Sequence, residues 1–258
     1  MQGKPSAFIW YELITSDIDA AAKFYAAVIG WTVKSSGAPG MDYRQWFMGE
    51  EAVGGLMALP AGAIANGVHP AWLGYLSVAD VDASIAKITA AGGTLLMPAV
   101  DLPGVGRFAM VTDPQQAPFY VMTPQGEGES RSFAPAMPGH GGWNELHARD
   151  GVAAFDFYSK HFGWRKSRAM DMGPQGIYQI INAGAEDIGA MKTAAAAPRP
   201  HWLFYFNVEN IDAAAKRVTD AGGNILVAPH EVPGGQFVTP CRDPQGTSFA
   251  LVGPRVGA

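Results

Sequence analysis

An internal repeat constrains this chain more than any other feature of its sequence. Trp10-Tyr11-Glu12-Leu13 returns 133 residues later as Trp143-Asn144-Glu145-Leu146, and the same offset carries Asp17 to Asp150, Phe24-Tyr25 to Phe157-Tyr158 and Gly30-Trp31 to Gly163-Trp164. Farther along the offset is 130, which takes Trp72 to Trp202, Ala91-Gly92-Gly93 to Ala221-Gly222-Gly223, and Asp113-Pro114-Gln115 to Asp243-Pro244-Gln245. Three residues are therefore lost somewhere between Arg165 and His201. Ordered matches over nearly the whole chain mean one supersecondary design used twice.

Each half repeats within itself more faintly. Stretches of alternating apolar residues lead into helix starts at Asp17, Asp80, Asp150 and Asn210, and Ala-rich amphipathic segments follow. These segments stop at Gly30, Gly92, Gly163 and Gly222. Asp and Asn accept hydrogen bonds from the orphan N–H groups of a first helical turn, and Gly tolerates the left-handed conformation that ends a helix. Strand-like segments come next: Trp31–Lys34, Tyr43–Met48 and Val53–Leu59 after the first helix, and Thr94–Met97, Gly106–Val111 and Pro118–Met122 after the second. The unit reads β-α-β-β-β, four times. The Pro-, Gly- and Ser-rich stretch 124–142 is a linker between a module at 1–123 and a module at 143–258. A helix covers one face of each small sheet, so the strands' other face is free to line a ligand-binding cup.

The Asp17…Phe24-Tyr25…Gly30-Trp31 and Asp150…Phe157-Tyr158…Gly163-Trp164 phrases, with the Asp-Pro-Gln turns at Asp113 and Asp243, resemble the vicinal oxygen chelate superfamily (glyoxalases, bleomycin-resistance proteins and dioxygenases). The resemblance covers almost all of residues 6–254. It implies an α+β fold of four βαβββ units, forming two glyoxalase-like modules paired as a pseudo-dimer within one chain. It does not fix an activity, because the superfamily spans isomerases, ring-cleaving dioxygenases, transferases and proteins that only sequester antibiotics. Members with metal chemistry place His, Gln or Glu at characteristic slots, and here those slots hold Trp10, Trp143, Leu73, Leu203, Tyr120 and Ala250. Indole and alkyl groups donate no lone pair to a divalent cation, and a phenol does so rarely. The resemblance, read residue by residue, therefore implies no metal and no other cofactor.

Alternation along a strand puts Trp10, Glu12 and Ile14 on one face, and Trp143, Glu145 and His147 on the corresponding face of the second half. Glu12, Glu145 and His147 are the candidate proton-transfer groups. A carboxylate beside an aromatic wall protonates more readily than in water unless a cation or donor meets it. The plainer role for Glu12 and Glu145 is to bond backbone N–H groups or an Arg and hold the strands together, and recurrence in both halves fits that role equally well. Trp10 and Trp143 are candidate walls for a ligand, Tyr43 and Tyr178 candidate hydroxyl donors, and Arg107 a candidate partner for an anionic group. Trp31 and Trp164 belong to the core. For His69, His140 and His161 solvent exposure is expected, and Cys241 matches Val111 of the first half, so a buried inert thiol is expected there.

Two functions follow. One is a binding protein for a small aromatic or hydrophobic molecule, held in cups that lack the family's metal ligands. The other is a glyoxalase-like lyase or isomerase in which Glu12, or Glu145 with His147, moves a proton, with or without a divalent metal. Of the 258 residues 18 are basic and 23 acidic, a net charge of −5 with no basic cluster, which argues against nucleic acid and anionic membranes as partners. One cysteine fits a reducing cytoplasm. No apolar run is long enough to span a membrane, and Glu12 interrupts any secretory signal. A cytoplasmic monomer with an internal pseudo-dimer is expected, since a further homodimer would need an exposed apolar patch.

Overall fold

The computed structural model describes residues 6–37, 42–65, 67–125, 129–194 and 199–256. Four βαβββ-like units follow one another, which makes the chain a two-module, mixed α+β protein. The first comprises β1 (Phe8–Thr15), α1 (Ile18–Ile29), β2 (Thr32–Ser35), β3 (Tyr43–Met48) and β4 (Glu51–Ala58). The second comprises β5 (Ala71–Ser77), α2 (Val81–Ala90), β6 (Thr94–Leu102), β7 (Gly106–Thr112) and β8 (Pro118–Pro124). The third comprises β9 (Gly141–Ala148), α3 (Gly151–Phe162), β10 (Arg165–Asp171), β11 (Ile177–Ala183) and β12 (Glu186–Thr193). The fourth comprises β13 (His201–Asn207), α4 (Ile211–Asp220), β14 (Asn224–Ile225), β15 (His230–Val232), β16 (Gln236–Arg242) and β17 (Ser248–Gly253). Within the linker, residues 126–128 lie outside the described residues.

The helix boundaries have the chemistry that the sequence implies. Asp17, Asp80, Asp150 and Asn210 each take the N-cap position, with a side-chain oxygen accepting from the amide three residues on in every case. Gly30 and Gly163 end α1 and α3 in the left-handed conformation, at φ 95° and 73°. In α2 and α4 the corresponding stop lies one residue earlier, at Ala91 and Ala221, and Gly92 and Gly222 take up the positive φ just beyond.

The fold packs into two compact units, and each draws on both halves of the sequence. One contains residues up to Ile9, Leu73–Ser130 and Trp143–Trp202; the other contains Trp10–Trp72, Arg131–Gly142 and Leu203–Ala258. In the second of these, β1 pairs parallel with β4, and β4 pairs antiparallel with β3. In the first, β9 pairs parallel with β12 and β12 antiparallel with β11.

The motifs that carry the repeat meet inside each unit. Trp72 Nε1 donates to the Tyr25 hydroxyl at 2.9 Å, and that hydroxyl donates to Asp243 Oδ2 at 3.1 Å. Asp243 Oδ1 accepts from the amides of Gln245 and Thr247 at 3.0 and 2.7 Å. In the other unit Trp202, Tyr158 and Asp113 repeat the relay at 3.2 and 3.3 Å, and Asp113 Oδ1 closes its own turn through Gln115 and Ala117. Each tyrosine thus meets the Asp-Pro-Gln turn from the opposite half of the sequence. Burial pushes Asp113 and Asp243 up from their ordinary value and both tyrosines well above theirs. Trp31 and Trp164 are buried beside these relays, donating to Gly139 O and Ser6 O respectively, each at 2.7 Å.

Strand registers refine the repeat. Gly55 lies opposite Glu12 and Ala190 lies opposite Glu145, so these positions correspond at an offset of 135. The second half therefore gains two residues before β11 and gives up five between β12 and β13, and the three missing residues are the difference.

Candidate functional site

The most heavily functionalised surface lies on the sheet face of the third repeat. On β9 the odd side chains Trp143, Glu145 and His147 point away from the helix-packed face, while Leu146 and Ala148 are buried beneath. Across the sheet, His147 on β9, Lys192 on β12 and Tyr178 on β11 occupy one row. Glu145 sits just behind that row at 4% exposure. Its Oε1 accepts from His147 Nε2 at 2.6 Å and from Lys192 Nζ at 2.7 Å, and its Oε2 accepts from the Tyr178 hydroxyl at 2.7 Å. That hydroxyl in turn accepts from Trp143 Nε1 at 2.9 Å. His201, the first residue of β13, brings its ring to 4.7 Å from that of His147.

These contacts set the electrostatics. Burial alone would push the Glu145 carboxyl up, but the hydrogen bonds from His147 and Lys192 and the Lys192 charge outweigh it and hold the group at about 2. Burial, reinforced by the Glu145 charge and hydrogen bond, pushes the Tyr178 phenol up, so it remains a donor. Burial also lowers His201, against the Arg199 carbonyl hydrogen bond, which favours the protonated ring. Tautomers follow from the acceptors. A carboxylate faces His147 Nε2, which therefore carries a hydrogen, and the Arg199 carbonyl at 3.0 Å faces His201 Nδ1. Neither His147 Nδ1 nor His201 Nε2 has a partner among the described residues. Glu145 is thus a fixed anion that organises its neighbours, and the expectation of a readily protonated carboxyl yields to the ammonium, the imidazole N–H and the phenol that meet it.

The first repeat carries the same frame with different contents. Trp10 Nε1 donates to the Tyr43 hydroxyl at 3.1 Å, and Glu12 is buried on the same strand face. At the positions of His147, Lys192 and His201, however, stand Ile14, Met57 and Ala71. A Cβ at Gly55 would collide with the Tyr43 hydroxyl, whereas the second half has Ala190 at that position. Trp10, Glu12 and Tyr43 thus form one group, and Trp143, Glu145, His147 and Tyr178 another.

The remaining candidates sit elsewhere. Arg107 is not brought to the Glu145 cluster: Asp82 at 2.9 Å and Asp101 at 2.7 Å engage its guanidinium at the surface. His140 is buried, contrary to the expectation of exposure, because its Nδ1 donates to the Arg131 carbonyl at 2.6 Å. Cys241 is buried and pushed up to about 12 by desolvation, as an inert thiol should be. A cavity of about 360 Å³, lined in part by Ile29, Met48, Asn210 and Arg217, contains none of the candidate side chains. Lys192 and His201 are the site residues that the motifs do not announce. Their signal is the contrast between halves, since each replaces an apolar residue of the first repeat at a matched register position.

Comparison with known proteins settles the lineage. The model of the Glyoxalase/Bleomycin resistance protein/Dioxygenase superfamily matches residues 7–119 and again 143–251. The chain belongs to this superfamily. Among its relatives, CFP32 of Mycobacterium tuberculosis (strain CDC 1551 / Oshkosh), provisionally named a glyoxylase, is 32% identical over 260 residues, covering 98% of this chain and 95% of the relative. The anthracycline biosynthesis protein DnrV of Streptomyces peucetius is 30% identical over 275 residues, covering 98% and 95%. In solved structures the fold recurs in the Mn(II)-bound glyoxalase from Novosphingobium aromaticivorans (TM-score 0.66, 17% identity, 97% of this chain and 82% of that one). It recurs also in the 2,2',3-trihydroxybiphenyl 1,2-dioxygenase of Sphingomonas wittichii strain RW1 (TM-score 0.68, 12% identity, 97% and 90%). Of the residues that the resemblance assigns to metal slots, Trp10 and Trp143 are half-buried, Leu73, Leu203 and Ala250 are buried, and the Tyr120 ring stacks on Tyr75 at 4.2 Å. Among the described residues no group of three His, Cys, Asp or Glu side chains is placed to hold a metal ion.

Proposed function

We propose that the chain binds a small aromatic or hydrophobic molecule on the sheet face of its third repeat, with the ring against Trp143 and the polar end toward His147, Lys192 and His201. The observation that carries this reading is the saturated Glu145, whose two oxygens already receive His147, Lys192 and Tyr178. So complete a set of bonds fixes the rotamers of the side chains around an open, half-buried indole, and fixed side chains cost little further ordering when a ligand arrives. A relative named for anthracycline biosynthesis supports a ligand with aromatic rings.

The donor set argues for a site that works without a divalent cation. Indole and alkyl groups offer a metal no lone pair, and the Lys192 ammonium lies where a cation would otherwise approach Glu145. The reading as a lyase or isomerase has one observation of its own in the Glu145–His147 pair. There His147 is the proton carrier and Glu145 its orienting anion, because a carboxyl held at about 2 is a weak base. The net charge of −5 supports a chain that leaves nucleic acid and anionic membranes alone, the single cysteine supports a reducing cytoplasm, and two modules in one chain support a monomer. No helix among the described residues is long and apolar enough to cross a membrane.

The test is a titration of metal-stripped protein with a panel of aromatic compounds, followed by tryptophan fluorescence and, in parallel, by chromatography for turnover. Quenching that Trp143→Leu removes and Trp10→Leu retains, with the compounds recovered unchanged, is the expected result. Conversion of a compound replaces binding with catalysis. Activity that appears only when a divalent metal is restored overturns the metal-free reading.

A further inference from the structure

The differences between the repeats narrow the chemistry of the ligand. A site for a neutral, purely apolar ring needs nothing beyond the frame that both repeats share, a half-buried tryptophan beside a tyrosine and a glutamate. The third repeat adds an ammonium and two imidazoles, all on one patch, where the first has a methionine, an isoleucine and an alanine. The added groups are open on the side away from Glu145. Lys192 has spent one of its three N–H groups on Oε1 and is 29% exposed, and His147 is 19% exposed with Nδ1 unpartnered among the described residues. His201 presents Nε2 from the adjoining strand, its other nitrogen being held by the Arg199 carbonyl. Glu145 balances the charge of Lys192. The open patch therefore offers a cation and two basic ring nitrogens, with the one carboxylate already engaged behind them.

We infer that the third repeat selects aromatic molecules bearing an acidic hydroxyl, a phenol or enol, and holds them as the oxyanion against Lys192, with His147 taking the proton. This rests on the aromatic-binding reading above and adds the ligand's functional group. The transfer balances: the ligand O–H bond breaks, its electron pair stays on oxygen, and the proton bonds to His147 Nδ1. The imidazolium that results is paired through Nε2–H with Glu145, so the net charge of the complex is unchanged. Glu145 is here a positioning residue, setting the tautomer that leaves Nδ1 basic. His201 Nε2 lies beside the same patch and orients a second hydroxyl or the ring edge. The first repeat, with Ile14, Met57 and Ala71 in these places, lacks the selection.

Two dyes test this: 2-hydroxyanthraquinone, whose phenol and phenolate differ in colour, and 2-methoxyanthraquinone, which has the same rings and no proton to give. With wild-type protein held below the dye's own pKa, the bound hydroxy dye should take the phenolate spectrum. Its apparent pKa should fall by about one to three units, the size expected of an opposite charge at contact distance. It should bind about tenfold more tightly than the methoxy dye, as expected when a charge-assisted bond is available to only one of them. Lys192→Met and His147→Ile restore the first repeat's own side chains on the same frame, so both should fold and should lose the spectral shift together with the preference for the hydroxy over the methoxy dye. A hydroxy dye that binds as the phenol, or a Lys192→Met protein that keeps the shift, overturns the inference while leaving the aromatic site standing. If neither dye quenches fluorescence in a Trp143-dependent way, the aromatic reading itself fails and takes this one with it.

Discussion

Replacing Glu145 by Gln separates an anion that organises a site from a hydrogen-bonding group that merely fills one. The carboxyl ordinarily titrates at 4.5 and is held at about 2. A displacement of roughly 2.5 units, at ~1.4 kcal/mol per unit, gives about 3 kcal/mol of preference for the charged, folded state. Because the folded-state value is the lower one, this stability is fully present above 4.5 and is lost as the pH falls from 4.5 toward 2. A glutamine retains an acceptor for Lys192 or Tyr178, and Lys192 and His147, at 29% and 19% exposure, recover part of their hydration. Glu145→Gln should therefore cost about 2–3 kcal/mol near neutral pH. Urea unfolding followed by circular dichroism measures it, with the same slope expected for both proteins. The gap should shrink when the experiment is repeated at about pH 3, where the wild-type carboxyl has begun to lose its advantage. A gap that stays constant with pH, or its absence at neutrality, would refute the assignment of Glu145 as a charge held by the Lys192 ammonium and the His147 N–H.

Trp143→Leu should weaken an aromatic ligand by about 1–3 kcal/mol in calorimetric titration while Trp10→Leu does not, and equal losses would place the ligand in both repeats. Tyr25→Phe removes the hydroxyl between Trp72 and Asp243 and leaves a buried acceptor short of a donor, so denaturant unfolding should show a loss of about 1–3 kcal/mol. A stability unchanged within error would make that relay ornamental. Gly189→Ala drives a Cβ into the backbone of Asn144, which no side-chain rotation relieves, and should give insoluble or unfolded protein on expression. Cys241 should resist a thiol reagent until denaturant is added, since the group is buried and pushed up to about 12; rapid labelling of the native protein would contradict its burial.

The elements were legible because local chemistry determines them. Asp and Asn at N-caps, Gly at or just past helix ends, and β-branched or aromatic alternation act within a few residues of themselves, and the strand at Tyr43–Met48 falls where the alternation puts it. The relays were not legible, although every residue in them was visible. Tyr25 and Asp243 stand far apart in the sequence, and only packing reveals that the aromatic phrase of one half answers the turn of the other. Lys192 and His201 stayed hidden for a different reason. A repeat draws the eye to what is kept, and both residues stand where something was exchanged. Their offsets, 135 and 130, differ from the 133 of the opening motif, because two residues enter before β11 and five leave after β12. Register across the sheet restores the correspondence, and with it the physical content of the asymmetry. On one shared frame of Trp, Tyr and Glu, one repeat keeps three apolar side chains where the other has an ammonium and two imidazoles. Cations placed at a half-buried site cost desolvation unless something compensates them. The buried Glu145 compensates Lys192 from behind, and an anionic ligand would complete the compensation from the front.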